Sequence, residues 1–127
     1  MKEELIIKLS LLEQQSEEIK QQLEAINGQV SDLESLKLSL EKLGKDKQEM
    51  LANLGRGIFL KTKIDDDKLF INVGSKILVR KSFPEAVEII ANQISEMENM
   101  KNELNGNMEE INANLQGLIE EARNETD

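Results

Sequence analysis

Two long segments of the sequence repeat apolar residues at alternating steps of four and three. The first stripe is interrupted only at Ser16 and consists of Leu5, Leu9, Leu12, Ile19, Leu23, Ile26, Val30 and Leu33. The second is interrupted only at Lys101 and consists of Phe83, Val87, Ile90, Ile94, Met97, Leu104, Met108, Ile111, Leu115, Leu118 and Ala122. A repeat of about 3.5 residues keeps one narrow apolar edge facing a partner helix. The sequence therefore predicts two coiled-coil helices.

The first helix is predicted to begin within the first few residues and to end at Leu43. Gly44 follows at the position where a left-handed residue commonly caps a helix. The three-residue step from Leu33 to Leu36 predicts a stammer, which would overwind the coil locally. The alternative is a helix that continues to Leu54, and the earlier end is preferred.

The second helix has a clear predicted start. Ser82 and Glu85 have the spacing of a capping box, and Phe83 and Pro84 occupy the first turn, where a missing amide donor does no harm. The helix should continue to about Asn124. Both helices would then have about 43 residues. Equal helical arms joined by a short connector predict an antiparallel helical hairpin.

The connector between the helices has the pattern of short β-strands. The strand candidates are Met50–Leu54, Ile58–Ile64, Leu69–Val73 and Ile77–Lys81. Gly55-Arg56-Gly57 and Gly74-Ser75 supply turns, and Asp65-Asp66-Asp67 is predicted to be a solvated hairpin tip. A hairpin is only marginally stable alone in water. We therefore expect these strands to join a sheet completed by other subunits.

Composition excludes several classes of function. The chain has 127 residues, 2% of them aromatic, and a formal net charge of −9. This charge disfavours binding to nucleic acid, because phosphate contacts need clustered Lys and Arg. The longest apolar stretch near the start is too short for a membrane span and lacks a signal-peptide cleavage pattern. The absence of cysteine fits a reducing compartment. We expect a soluble intracellular protein of one domain.

No catalytic or metal site is evident in the sequence. Without histidine or cysteine, the usual nucleophile–base pairs and zinc sites are absent. Gly55-Arg56-Gly57 resembles part of a phosphate-binding loop but lacks the following helix and the Lys-Ser/Thr pair. Asp65-Asp66-Asp67 lacks the spaced oxygen ligands of a calcium loop. We therefore expect a protein that binds partners, with no enzymatic activity and no cofactor.

Apolar residues also lie off the stripe at the ends of the arms that carry the termini. With Leu9 at a heptad a position, the e, f and c positions are occupied by Ile6, Ile7 and Leu11. The f and c positions normally face water and carry charge. Ile119, at an e position of the second arm, belongs to the same end of an antiparallel hairpin. Such a cluster favours a binding surface.

The connector closely resembles that of the prefoldin alpha-type subunit. The matching residues are Leu54-Gly55-Arg56-Gly57-Ile58-Phe59-Leu60-Lys61, Ile71-Asn72-Val73-Gly74, Val79-Arg80-Lys81-Ser82 and Glu85-Ala86. The arms match the family in length and heptad character, and the presence of two hairpins is typical of alpha-type subunits. The resemblance implies a single α+β domain over residues 1–127, with arms at 1–43 and 83–124 and an assembly segment at 50–81.

The resemblance also implies a function and its surfaces. Members of this family are ATP-independent chaperones in the cytoplasm, built as hexamers of two alpha-type and four beta-type subunits around a double β-barrel. They hold unfolded clients at the arm tips for delivery to a group II chaperonin. The implied client-binding residues are Ile6, Ile7, Leu11, Leu118 and Ile119. The implied assembly residues are Ile58, Phe59, Leu60, Leu69, Phe70, Ile71, Val73, Ile77 and Val79.

Two alternatives remain open from the sequence. The protein could be a structural or tethering coiled-coil protein whose β segment is only a dimerisation clasp. It could also be a prefoldin-like protein that forms homo-oligomers or filaments without a second type of subunit.

Overall fold

The computed structural model describes residues 2–45 and 49–126. Two long helices enclose four strands in chain order. The elements are α1 (Lys2–Lys45), β1 (Glu49–Gly55), β2 (Ile58–Lys63), β3 (Lys68–Asn72), β4 (Leu78–Ser82) and α2 (Phe83–Thr126). The predicted α+β class is confirmed, as are the two β-hairpins between long helices, and each strand candidate lies within one or two residues of an observed strand.

The two helix ends differ slightly from the prediction. Helix α1 ends at Lys45 rather than Leu43, so Gly44 lies inside the helix and its predicted role as the capping residue is wrong. Glycine tolerates helical dihedral angles at a cost of about 1 kcal/mol relative to alanine, so it does not force a helix to stop. The alternative of a helix continuing to Leu54 is wrong, because β1 begins at Glu49.

The predicted stammer in α1 is also wrong. Leu36 is exposed by 46%, whereas Lys37 is half-buried and Leu40 is buried. The stripe therefore continues from Leu33 through Lys37 in regular steps of four and three. A lysine can occupy such a position because its aliphatic stem covers apolar surface while its ammonium reaches water.

The chain forms two compact units. The terminal unit comprises residues 1–30 and 96–127, and the hairpin unit comprises residues 31–95. In the terminal unit the two helices pair through the predicted stripes, with Ile26, Val30 and Ile111 buried. Ser16, where the first stripe is interrupted, donates a hydrogen bond from its hydroxyl to the Met108 sulfur at 3.4 Å.

The hairpin unit has a small core of its own. Leu40 from α1 packs with Phe83 and Ala86 from the start of α2, and all three are at most 9% exposed. Five partly buried residues complete this core: Leu43, Leu69, Ile71, Val87 and Ile90. Strand β3 thus contributes side chains to the same core as the two helices.

The four strands pair as two separate antiparallel hairpins. Hairpin 1 joins β1 to β2, and hairpin 2 joins β3 to β4. The segment Asp65-Asp66-Asp67 connects β2 to β3, which do not pair, so the prediction that it forms a hairpin tip is wrong. Asp66 instead accepts a hydrogen bond from the backbone N–H of Lys68 and forms an ion pair with Arg80. These contacts attach the connection to hairpin 2.

The two hairpin turns have the same construction. Asn53 accepts a hydrogen bond from the N–H of Gly55 at 2.8 Å, and Asn72 accepts one from Gly74 at 2.9 Å. Three consecutive residues with positive φ follow in each turn: Gly55, Arg56 and Gly57 in hairpin 1, and Gly74, Ser75 and Lys76 in hairpin 2. Positive φ favours glycine. At the last of these three positions, hairpin 1 has the favoured residue, Gly57, whereas hairpin 2 has Lys76.

A capping box joins hairpin 2 directly to α2, as predicted. The backbone N–H of Ser82 donates to the Glu85 carboxylate at 3.2 Å, and the N–H of Glu85 donates to the Ser82 hydroxyl at 3.2 Å. These two bonds satisfy amide donors that have no partner inside the helix. The last residue of β4 is therefore also the N-cap of α2.

Candidate functional site

Hairpin 1 exposes apolar side chains on both faces. Successive residues of a strand point to opposite faces, so Leu51 and Phe59 lie on one face and Leu60 on the other. Their exposed fractions are 63%, 55% and 53%. Glu49, on the face of Leu51, forms ion pairs with Lys61 and Lys63 at 3.1 and 3.9 Å. The face of Leu51 and Phe59 is open, whereas Leu60 shares its face with the half-buried Met50 and Ala52.

Hairpin 2 has one covered face and one open face. Leu69 and Ile71 point to the core of the hairpin unit and are half-buried. Phe70, between them, is 67% exposed on the opposite face. The guanidinium of Arg80, directly across the strand pair, lies 5.6 Å from the centre of the Phe70 ring. This geometry allows a cation–π interaction that partly shields an aromatic ring otherwise open to water.

The predicted assembly residues divide into two groups. The exposed ones are Ile58, Phe59, Leu60, Phe70, Val73 and Ile77. The half-buried ones are Leu69, Ile71 and Val79. Since Leu69 and Ile71 pack against the core of this protein, their surface available to a partner is reduced. We name the exposed apolar residues of both hairpins the hairpin surface.

The sequence prediction omitted three members of the hairpin surface. Leu51, Leu54 and Leu78 are each at least 60% exposed. All three lie in segments predicted as strands from the sequence. The sequence signal available for them is an apolar side chain in a short strand that has no apolar partner within the protein. This signal predicts exposure for these three residues as strongly as it does for Ile58. Contiguous exposed apolar area of this kind marks an interaction site.

The predicted tip residues lie at the end of the terminal unit that carries both termini. Ile6, Ile7 and Leu11 are 60%, 61% and 52% exposed, Ile119 is 44% exposed, and the stripe residue Leu118 is half-buried. An open groove of about 600 Å³ runs between the helices at this end, which we name the tip groove. It is lined by Leu11, Leu12, Ala113, Gly117 and Leu118, and by the polar residues Lys8, Asn114 and Glu121.

The tip groove brings together only part of the predicted client-binding set. Leu11 from α1 and Leu118 from α2 both line the groove. Ile6, Ile7 and Ile119 are exposed but do not line it. The tip groove therefore has further exposed apolar side chains beside it. Such a surface can bind apolar segments of a client in many orientations, because the hydrophobic effect is non-directional.

The electrostatics of the described residues offer little that is specialised for chemistry. Glu85 has its pKa lowered, first by the hydrogen bond from the Ser82 backbone and then by the Ser82 hydroxyl and the Lys81 ammonium. No grouping of acidic side chains within residues 2–45 and 49–126 is arranged to hold a metal ion. Over the same residues, neither helix has the apolar length that crossing a membrane requires.

Comparison with known proteins assigns the family. A family model described as "Prefoldin subunit" matches residues 12–126. The chain is 32% identical over 112 residues to prefoldin subunit alpha 1 of Methanocaldococcus jannaschii, an alignment that covers 83% of this protein and 78% of the relative. It is 28% identical over 121 residues to prefoldin subunit alpha of Methanobrevibacter smithii, with 94% and 83% covered.

A solved structure supports the fold independently. One polypeptide of the cryo-EM structure described as filamentous PFD from Methanocaldococcus jannaschii superposes with a TM-score of 0.79, and the match covers 90% of this protein and 97% of that one. The identity is 20%, so this similarity bears on the fold. Together with the match over residues 12–126 and the alpha-subunit relatives, it shows that the chain belongs to the prefoldin family of chaperones, among the alpha-type subunits.

Proposed function

We propose that this protein is a subunit of an ATP-independent holding chaperone that binds unfolded polypeptides at its arm tips. The observation that carries the proposal is the exposure of Ile6, Ile7 and Leu11 on a helix whose stripe is already occupied. The f and c positions, occupied by Ile7 and Leu11, normally face water. Their apolar character has no structural use within the described residues, whereas a client with exposed apolar segments gives them a partner.

Assembly through the hairpin surface is the second part of the proposal. Among residues 2–45 and 49–126, each hairpin pairs only its own two strands, so each retains unpaired strand edges. Unpaired edges together with exposed apolar side chains favour the addition of strands from another subunit. We infer that beta-type subunits supply those strands in a hexamer of two alpha-type and four beta-type subunits. In that hexamer, Ile58, Phe59 and Leu60 become buried.

The biological setting follows from the family and is part of the same proposal. The assembly acts in the cytoplasm, passes its clients to a group II chaperonin, and requires neither cofactor nor nucleic acid nor membrane. Binding through apolar surface requires no covalent chemistry, so the protein acts without enzymatic turnover.

A triple substitution at the tip tests the client site. Changing Ile6, Ile7 and Leu11 together to serine removes exposed apolar area while Leu9 and Leu12 keep the stripe intact. Full burial of one aliphatic side chain stabilises by roughly 1.5–3 kcal/mol. Even partial burial of three side chains corresponds to a tenfold or greater loss of client affinity, since about 1.4 kcal/mol is a factor of ten. The measurement is suppression of aggregation of a denatured test protein.

The matched control replaces Gln15, Gln22 and Gln29, which are exposed on the same helix, by serine. The control should hold clients as the unmodified protein does. Circular dichroism and assembly mass must be equal for both variants, so that the comparison isolates the tip. If the triple tip variant holds clients normally, these residues serve packing, and the client site lies elsewhere on the assembly.

Separate variants distinguish the groove from its surroundings. Leu11→Ser alone removes one wall of the tip groove, whereas Ile6→Ser with Ile7→Ser leaves the groove lining unchanged. A larger loss of client holding for Leu11→Ser assigns binding to the groove. A larger loss for the Ile6 and Ile7 pair assigns it to the exposed rim.

A second candidate function keeps the family but changes the assembly. The solved structure of similar fold is described as filamentous. We propose as the alternative that this protein assembles with copies of itself through the same hairpin surface. Native mass spectrometry of the purified protein, alone and with a beta-type subunit, separates the two: a defined hetero-hexamer supports the first candidate, and an extended series of homo-oligomers supports the second.

A further inference from the structure

The terminal unit contains a matched pair of Asn-Gly dipeptides in the interiors of its two helices. Asn27-Gly28 lies in α1 and Asn105-Gly106 lies in α2, and they are the two Asn-Gly dipeptides of the sequence. All four residues are exposed. Asn-Gly is a strong signal for a turn, and glycine is the least favourable residue for a helix interior apart from proline. The dipeptide is therefore unfavourable in the interior of both paired helices.

Neither glycine is required by the structure around it. A Cβ atom added at Gly28 or at Gly106 would meet nothing within 4 Å, and neither residue has positive φ. Close packing and unusual backbone conformation, the two structural reasons to retain glycine, are therefore both absent at these two positions. At these two positions the effect of glycine is therefore to lower the stability of the helix.

The two dipeptides lie at the same level of the paired helices. One groove of about 340 Å³ is lined by the residues that flank both of them, Ile26 and Gln29 from α1 and Leu104 and Asn107 from α2. The stripe is also weakened here, because Lys101 occupies a half-buried stripe position in α2. A polar residue at such a position reduces coiled-coil stability. Low helix propensity and a weakened stripe thus coincide in one short section.

We propose that this section opens locally in the folded protein and that its opening makes Asn27 and Asn105 sites of spontaneous deamidation. While the helix is intact, the N–H of the glycine donates to a carbonyl four residues earlier, and its nitrogen is held away from the asparagine side chain. Local opening frees that nitrogen. Helical segments of low propensity with solvent-exposed backbone hydrogen bonds are expected to open without global unfolding.

The reaction needs only the protein and water. The backbone nitrogen of Gly106 attacks the amide carbon of the Asn105 side chain, and a new carbon–nitrogen bond closes a succinimide ring. The original carbon–nitrogen bond of that amide breaks, and the departing nitrogen leaves as ammonia with the proton lost by the glycine nitrogen. Water then opens the ring at either carbonyl, which gives aspartate or isoaspartate. The same steps apply at Asn27 and Gly28.

The product changes the arm in two ways. Each event adds a negative charge to a protein whose formal net charge is already −9. Isoaspartate also lengthens the backbone by one methylene, which interrupts the helical hydrogen-bond ladder at that point. Formation of isoaspartate therefore converts transient opening into a lasting break in the paired helices. The modified residues accumulate as the protein ages, and they lie at one level along the paired helices of the terminal unit.

Peptide mapping by mass spectrometry tests the site assignment. The full-length protein is incubated at neutral to mildly alkaline pH, and conversion of each asparagine to acid is followed over time. Asn27 and Asn105 should convert well ahead of Asn102, Asn112 and Asn114, which are exposed in the same unit but precede other residues. Conversion of Asn105 at the rate of those three asparagines would overturn the proposal.

Stiffening the section without changing either dipeptide tests the role of opening. Lys101→Leu fills the stripe and should slow conversion at Asn105 roughly tenfold, since partial burial of one leucine is of that order. Lys37→Leu is the matched control, because Lys37 is the half-buried stripe lysine of the hairpin unit. It should leave Asn105 unaffected. Equal rates in the unmodified protein and the Lys101→Leu variant would contradict a reaction that requires opening.

Amide hydrogen exchange gives a readout that does not depend on the chemistry. The double variant Gly28→Ala with Gly106→Ala should slow exchange around both dipeptides, by roughly fivefold for each glycine replaced. Asn92→Ala, at an exposed helical position of the hairpin unit, is the control and should change exchange only near itself. Exchange at residues 26–29 and 103–107 that matches the flanking helix in the unmodified protein would exclude local opening.

Discussion

The two hairpins share their turns but differ in what covers them. Both have the Asn-x-Gly hydrogen bond and three consecutive residues with positive φ. Hairpin 2 packs Leu69 and Ile71 onto the core of its unit, whereas hairpin 1 exposes Leu51, Phe59 and Leu60 on its two faces. One hairpin is therefore part of the protein's own core structure. The other has surfaces whose burial a partner must provide.

The connection to the helices explains this difference. Strand β4 ends at Ser82, the N-cap of α2, so hairpin 2 is fixed next to Phe83 and Ala86 with no residue between strand and helix. Hairpin 1 follows α1 after residues 46–48, which lie outside the described part of the sequence. A direct strand-to-helix junction places hairpin 2 on the core.

The largest expected effect comes from truncating the core beneath hairpin 2. Phe83→Ala removes a side chain that is 8% exposed and should lower the free energy of unfolding by about 3–5 kcal/mol. The matched change in hairpin 1 is Phe59→Ala, where the side chain is 55% exposed. In the unassembled protein it should alter stability by less than about 0.5 kcal/mol. Urea unfolding at one protein concentration measures both.

Equal losses for the two phenylalanine variants would remove the distinction between the hairpins. So would a larger loss for Phe59→Ala in the unassembled protein. If Phe59→Ala lowers stability only when the partner subunit is present, the lost stability belongs to the interface.

An intermediate effect is expected from exchanging the glycine and the lysine at the last positive-φ position of the two turns. Gly57 in hairpin 1 and Lys76 in hairpin 2 occupy equivalent positions, with φ of 79° and 61°. A side chain in this left-handed region costs roughly 1–2 kcal/mol. Gly57→Lys should therefore destabilise the protein by about 1–2 kcal/mol, and Lys76→Gly should stabilise it by a similar amount.

Thermal unfolding followed by circular dichroism measures both turn variants. Opposite shifts of similar size would confirm that the turns are equivalent despite the different surroundings of their hairpins. Shifts of the same sign would show that packing around one turn outweighs its backbone preference.

The smallest effect concerns the junction that fixes hairpin 2. Ser82→Ala removes the N-cap hydroxyl and should lower the free energy of unfolding by about 1 kcal/mol.

The pKa of Glu85 is lowered in the folded protein. The contribution of Glu85 to stability is therefore fully present above the pKa of the unfolded state and is lost as pH falls through the folded value. Stability of the unmodified protein should therefore decrease more steeply below about pH 4.5 than that of Glu85→Gln.

Urea titrations at a series of pH values between neutral and acidic test this sign. Parallel pH profiles for the unmodified protein and Glu85→Gln would show that the capping box does not contribute to acid sensitivity. A profile that converges at low pH, with the unmodified protein ahead at neutral pH, agrees with the lowered pKa.

Much of the fold could be predicted from local sequence patterns. The heptad stripes, the capping box at Ser82 and the glycine turns each depend on interactions within a few residues, and each was located correctly. The errors at Leu36 and Gly44 have a different origin. At Leu36 an apolar residue suggested a shift of the stripe, but the stripe continues through Lys37. At Gly44 a glycine suggested the end of the helix, but a helix tolerates glycine.

The candidate site was only partly predictable for a related reason. Exposure of Ile6 and Ile7 follows from heptad position, which can be read from the sequence directly. Whether Leu69 or Leu60 faces the core depends on which hairpin lies over Phe83, and strand alternation alone does not decide this. The shared turn at Asn53 and Asn72 was visible as a repeated Asn-x-Gly pattern, but its meaning required the backbone conformation.

The mass of the assembly formed by a hairpin 1 variant shows whether a partner subunit covers the exposed apolar residues of this hairpin. Leu51→Ser with Phe59→Ser changes two exposed side chains on one face of hairpin 1, and Leu36→Ser with Leu38→Ser changes two exposed leucines of α1 in the same unit as a control. Native mass spectrometry with the partner subunit present should show that the hairpin 1 variant fails to assemble while its helix content is unchanged. An assembly of normal mass from the hairpin 1 variant would contradict the claim that its exposed faces await a partner.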